Sequence, residues 1–228
     1  MARWHVYPGL EELIERAAAA ITGGAEQALS GREQFNIVLA GGNTPRDIYR
    51  RLADLGAGDE RWQVWFGDER YLPPGHADRN ETMARETWLD RSGIPPANIH
   101  PIPYGPAPQD AADAYAALLA PIRQLDLVLL GVGPDGHTAS LFPGHDIGAA
   151  SGAPDVLVVD NAPKPPPLRI SMSAHRLSRS RQVLFMVTGA AKRDAVSHWR
   201  HGQQIPAALV SPPTGVDVFM DEEAAPGF

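Results

Sequence analysis

Asp135 and His137 stand two residues apart in a run of small residues, GVGPDGHTAS. An imidazole titrates near neutral pH and can take a proton from water, and a neighbouring carboxylate can set its orientation. The competing reading is a histidine satisfied in the core or capping a helix, and one residue alone does not separate the two. Three cations occupy unusual positions. Arg70 closes a charged run, Gly67–Asp68–Glu69–Arg70, directly after an apolar stretch. Arg169 opens an apolar strand pattern, and Lys192 falls at the start of a helical one. A cation at a helix start is disfavoured by the helix dipole unless an anion shares the site. Gly41–Gly42–Asn43–Thr44–Pro45 supplies glycines that let a ligand approach the backbone, and hydroxyl, amide and free N–H groups that hydrogen-bond phosphate. Each piece also has a bland reading: a strand-to-helix turn capped by Thr44, a solvated charged loop, a snorkelling surface arginine. Together, Gly41, Gly42, Asn43, Thr44, Asp68, Arg70, Arg169 and Lys192 make a candidate phosphate pocket. Asp135 and His137 place acid–base chemistry some distance from it.

These residues need strand ends to hold them. Asp126 is followed by four aliphatics, Leu127 to Leu130, without polar alternation, which suits a parallel strand buried on both faces. Phe35–Ala40, Gln63–Phe66 and Val183–Thr188 read in the same way, and Trp4–Tyr7, Val156–Val159, Leu168–Met172 and Val216–Met220 add further strands. Helical spacing covers Leu10–Leu29, Pro45–Leu55, Asn80–Leu89, Asp110–Leu119 and Ala190–Trp199. Thr44 fits an N-cap, with Pro45 at the first helical position and Asp47 at the third. Strand–helix alternation without internal repeats predicts an α/β fold: a doubly wound, mostly parallel Rossmann-like sheet with helices on both faces, in one domain over residues 1–228. In such sheets ligands bind outside the carboxyl ends of the strands. Ala162–Pro167 (APKPPP) reads as a stiff surface connection, and the tail from Asp221 to Phe228 as partly disordered.

Composition removes several classes of function. The net charge is -7, which argues against non-specific binding to nucleic acid or an anionic membrane. Without cysteine there is no disulfide, thiolate catalysis or cysteine metal site. The N-terminus lacks a signal-peptide apolar core, and no apolar run is long enough to span a bilayer, so a cytoplasmic protein is expected. GVGPDG matches G-x-G-x-x-G, and Asp155 lies near the expected acidic position. However, Pro134 removes an N–H, and Thr138–Phe142 leaves room for only a short helical turn before Pro143. Nicotinamide binding is therefore set aside. His145 lies close to His137, but a metal would need more ligands at suitable spacing.

The chain resembles the 6-phosphogluconolactonases, within the glucosamine-6-phosphate isomerase/lactonase superfamily. The resemblance rests on LAGGNTP at Leu39–Pro45, FGDER at Phe66–Arg70, Asn80 in ADRN, and GVGPDGHTASLFP at Gly131–Pro143. It continues in PPPLRIS, GAAK at Gly189–Lys192 and IPAA at Ile205–Ala208. It implies hydrolysis of 6-phospho-D-glucono-1,5-lactone to 6-phosphogluconate, the second step of the oxidative pentose phosphate pathway, with no metal or organic cofactor. The family's proposed base falls on His137. Its phosphate-binding positions fall on Gly42, Asn43, Thr44, Arg70, Arg169 and Lys192. The related deaminases resemble DGHIAFNEP at this loop, with a catalytic glutamate where this chain has Phe142, and tend to carry tyrosine where it has Arg70. Both differences favour the lactonase. The alternatives are a sugar-phosphate isomerase/deaminase and a non-enzymatic sugar-phosphate sensor. The expected partner is the small-molecule lactone, with the protein a monomer or small homo-oligomer.

Overall fold

Leu125–Gly131 forms a strand, β6 in chain order, in which every residue before the glycine is buried. Its aliphatic run leaves no polar face, so it can only sit inside a sheet covered on both sides. The computed structural model describes residues 1–227 and places β6 at the centre of a seven-stranded sheet. The other members are β1 (Ala2–Tyr7), β2 (Phe35–Leu39), β3 (Trp62–Phe66), β5 (Ile99–His100), β9 (Ser180–Val187) and β10 (Val216–Asp221). The order is β1-β10-β9-β6-β2-β3-β5, and every pairing is parallel. From β2 the chain runs outward to β3 and β5, then returns to β6 and runs the other way. The strand order therefore reverses between β2 and β6, which pair through Ile37↔Leu127 and Val38↔Val128. That crevice is where ligands bind in open α/β sheets.

Both faces are covered by helices α1 (Leu10–Leu29), α2 (Asn43–Asp54), α3 (Asn80–Thr87), α4 (Pro108–Leu119), α5 (Ala174–Ser178), α6 (Arg193–Arg200) and α7 (Pro206–Leu209). Trp62 meets Trp88, at the end of α3, edge-on at 5.8 Å. Trp65 meets Tyr115 of α4 at 6.2 Å. Residues three apart on a strand point to opposite faces, so α3 and α4 lie on opposite sides of the sheet. Two buried tyrosines tie helices to strand ends. Tyr49 of α2 bonds both backbone groups of Ala40, and Tyr115 bonds both of Phe66. The doubly wound, mostly parallel architecture is thus present.

Three local expectations are corrected. Helix α2 begins at Asn43, two residues early, with Gly42 (φ 112°) at its N-cap. Thr44 is inside the helix, where its hydroxyl bonds Thr188 at 2.7 Å instead of capping. Second, β4 (Asp68–Arg70), β7 (Val156–Val159) and β8 (Arg169–Met172) form a separate antiparallel sheet, ordered β4-β8-β7. Third, the tail is packed as far as Ala224, which is fully buried, while Asp221 accepts the N–H groups of Gly189 and Ala224. Phe228 lies outside the described residues.

Candidate active site

At the carboxyl end of β6 the chain folds into a tight loop. Gly133 donates to the His137 carbonyl at 2.7 Å, and Gly136 donates to the Gly133 carbonyl at 2.9 Å. This closure brings the Asp135 carboxylate onto His137 Nδ1. Any side chain at Gly133 would overlap both the imidazole and that carboxylate. Gly136 has φ 84°, a conformation side chains resist, and faces Ile205. No helix follows. Thr138 and Leu141 make a β-bridge where the sequence suggested a helical turn, and Phe142 lays its ring 4.7 Å from the His137 ring.

Burial pulls the His137 pKa below its ordinary value, against the opposing pull of Asp135. Burial opposes ionisation of Asp135, but the bond and charge of His137 outweigh it and hold the carboxyl low. An ionised Asp135 accepts, so Nδ1 carries the hydrogen and Nε2 keeps its lone pair. A neutral imidazole with Nε2 free is a competent base at neutral pH. The active form is the unprotonated one. The rate is therefore expected to rise with pH through a value below the ordinary imidazole pKa of about 6.5, then level off. A pH profile of kcat/KM checks this.

The small sheet brings two cations to the same cleft. Arg70 and Arg169 are directly opposed in the β4–β8 register. Like charges so placed repel, which is sensible where a bound anion is shared. Arg70 donates to the Asp78 carbonyl at 2.7 Å, and its buried Nε has no partner. Arg169 is buried, not snorkelling, and donates to the carbonyls of Lys164, Pro165 and Pro166 at 3.0–3.3 Å. That clamp sets Lys164 on the cleft wall. Lys192 precedes α6 on the same cleft, and its pKa is lowered by burial and then by Lys164, against Asp135. Burial is the larger cause; the smaller contribution of Lys164 reflects two like charges near one another, which a bound anion would offset.

Asp68, Asn80 and Gly41 close the floor. Asn80 Nδ2 donates to the Asp68 carbonyl at 2.8 Å and to its carboxylate at 3.2 Å, and Ser140 donates its hydroxyl to the same carboxylate. A Cβ at Gly41 would overlap the Asn80 side chain, so only glycine fits there. Behind them Glu69 is buried, and its carboxylate accepts the backbone N–H groups of Arg70, Asn80 and Glu81. Burial pushes the Glu69 carboxyl up to about 7, against Arg79 and those three donors.

The resulting cleft holds about 310 Å³. Of the sequence candidates, Gly41, Gly42, Asp68, Arg70, His137, Arg169 and Lys192 line it together. Asp135 stands behind the imidazole. Asn43 and Thr44 do not line the cleft. They occupy the first turn of α2, whose N–H groups lack intrahelical carbonyl partners. The solvated reading of Gly67–Arg70 is overturned, since Asp68 and Glu69 are buried. Lys164 is not among the sequence candidates: a lysine among prolines, five residues before an arginine, reads as part of a surface connection. Asn80 carried only a family resemblance until its contacts placed it in the cleft. Among the described residues no group of three or more His, Cys, Asp or Glu could hold a metal ion, and no helix is long and apolar enough to cross a membrane.

An acid–base pair at the switch point of a parallel sheet, facing four cations, defines an α/β enzyme for small anionic substrates. A family model described as glucosamine-6-phosphate isomerases/6-phosphogluconolactonase matches residues 8–219, and the chain belongs to that family. It is 38% identical to the 6-phosphogluconolactonase of Synechocystis sp. over 225 residues, covering 93% of this chain and 92% of that one. It is 35% identical to the Homo sapiens 6-phosphogluconolactonase over 231 residues, covering 95% and 87%. The solved 6-phosphogluconolactonase of Trypanosoma brucei superposes with a TM-score of 0.87 at 29% identity, covering 98% and 97% of the two chains.

Proposed function

We propose that this chain, acting as one domain, hydrolyses 6-phospho-D-glucono-1,5-lactone to 6-phosphogluconate. It is a carboxylic ester hydrolase of carbohydrate metabolism. The observation that carries the reading is the Asp135–His137 pair beside the cationic cleft, with Phe142 packed on the imidazole where the related deaminases place a glutamate. In this reading His137 Nε2 takes a proton from water as the water oxygen bonds to the lactone carbonyl carbon. The ring oxygen then leaves and takes the proton back from the imidazolium, giving the open hydroxy acid. Asp135 fixes the tautomer and stabilises the transient imidazolium. Negative charge on the carbonyl oxygen falls to the Gly41–Asn43 backbone N–H groups or to Arg70. Lys192, Arg169 and Arg70 hold the phosphate, which keeps the ring in register. Asp68 orders the floor through Asn80 and Ser140.

The test is hydrolysis of freshly generated lactone with the spontaneous rate subtracted, beside ammonia release from glucosamine 6-phosphate. Lactone turnover without ammonia supports the reading; ammonia release or neither activity defeats it. Lys192→Ala is expected to raise KM by about 10- to 100-fold with kcat held, the size of one hydrogen bond to a charged group. Arg70→Ala should behave alike, and a fall in its kcat would reassign Arg70 to the carbonyl oxygen.

A further inference from the structure

Glu69 is 1% exposed and does not itself line the cleft, but its carboxylate bonds two residues that do, Arg70 and Asn80. Its Oε1 accepts the N–H of Arg70 at 2.8 Å and of Asn80 at 2.7 Å, and its Oε2 accepts the N–H of Glu81 at 2.9 Å. Arg79 Nε lies 3.7 Å from Oε2. Asn80 and Glu81 are the first two residues of α3, which has no side-chain cap of its own. A carboxylate borrowed from strand β4 therefore does the capping, where helix N–H groups and dipole favour negative charge. The same oxygen that starts the helix also fixes the backbone of Arg70.

The consequence reaches the reacting groups through Asn80. With its backbone held by Glu69, its side chain can donate to Asp68 and fill the space against Gly41. Asp68 in turn takes the Ser140 hydroxyl, on the loop that carries His137. Strand β4, helix α3, the Gly41 turn and the histidine loop thus meet at two buried carboxylates, Glu69 and Asp68, joined by the Asn80 amide. We propose that Glu69 is a positioning residue for lactone hydrolysis, acting through Asn80 to hold Asp68 and the Gly41 turn in register with His137. This rests on the hydrolase reading above.

The experiment is a double-mutant cycle in kcat: wild type, Glu69→Gln, Asn80→Ala and the pair, each also followed by thermal melting. The amide keeps the shape of the carboxylate but sets an N–H₂ group against backbone donors. Each single change is expected to cut kcat by about tenfold to a hundredfold, the cost of misplacing groups by about 1 Å. The pair should be no worse than the weaker single, because both act on one connection. Equal kcat in Glu69→Gln and wild type, or losses that multiply in the pair, would overturn the proposal. Additive melting shifts with non-additive kcat mark positioning as distinct from general stability. If Glu69→Gln fails to fold, Glu69→Asp runs the same cycle, since it keeps the charge but is one methylene short of spanning all three donors. No hydrolysis by the wild type would defeat the hydrolase reading instead, so the two failures are distinguishable.

Discussion

Replacing His137 by alanine is expected to lower kcat for lactone hydrolysis by about 10²–10⁴-fold, the usual contribution of a positioned general base. Binding of 6-phosphogluconate should stay close to wild type, because the cations of the cleft do not depend on the imidazole. Arg169 is held by the carbonyls of residues 164–166, and Arg70 by the Asp78 carbonyl. The side-by-side measurement is steady-state kinetics on fresh lactone and calorimetric titration with the product. Retained activity would remove His137 from its role, and an equal loss of affinity would mean that the histidine binds and does not act as a base. Asp135→Asn makes a sharper companion. An amide that donates to Nδ1 forces the hydrogen onto Nε2, where it blocks proton abstraction. Asp135 also raises the His137 pKa against burial. Its removal should therefore lower the plateau rate and move the acid limb of the profile to still lower pH.

How far these groups could be read from the chain depends on how local their causes are. Leu127–Leu130 announces a central strand because no other element tolerates so continuous an apolar run, and β6 follows it. The Asp135–His137 contact is equally local, closed by a loop of five residues between Gly133 and His137. Gly41 and Gly133 look like ordinary turn glycines in sequence; the necessity of Gly133 comes from side chains of its own loop, whereas that of Gly41 comes from Asn80, which a distant segment presses against it. The Arg70–Arg169 opposition was invisible for the same reason: the two lie in separate stretches, and only the antiparallel β4–β8 register brings them together. Lys164 was hidden by its neighbours, since prolines read as linker whatever clamps their carbonyls. The cap of α3 was beyond local rules altogether. Its carboxylate comes from Glu69, eleven residues before the helix starts at Asn80. Capping motifs search within a few residues of the helix start.

Gly133→Ala is expected to cost nearly as much activity as losing His137, although it removes no polar group. A methyl there would overlap His137 Nδ1, its ring carbon Cε1 and the Asp135 carboxylate together. Relief can come only from moving one of three things. The loop backbone is pinned by the Gly133–His137 and Gly136–Gly133 bonds. The ring is blocked on one side by Phe142 at 4.7 Å, and Phe142 is itself buried. The remaining freedom is to part the carboxylate from the imidazole, which releases the tautomer and swings Nε2 away from water. The expected result is a kcat lower by about 10² or more, the cost of displacing a catalytic group by about an ångström, with affinity for 6-phosphogluconate and cooperative melting retained. Gly23→Ala in α1 is the control for the chemistry of the substitution. A Cβ there meets nothing within 4 Å, and its helical site should gain about 1 kcal/mol of stability without touching activity. Wild-type kcat in Gly133→Ala would mean that hydrolysis does not require Asp135 and His137 in contact. A loss of activity that tracks a loss of folding would mean that the glycine serves the loop's stability and not the pair.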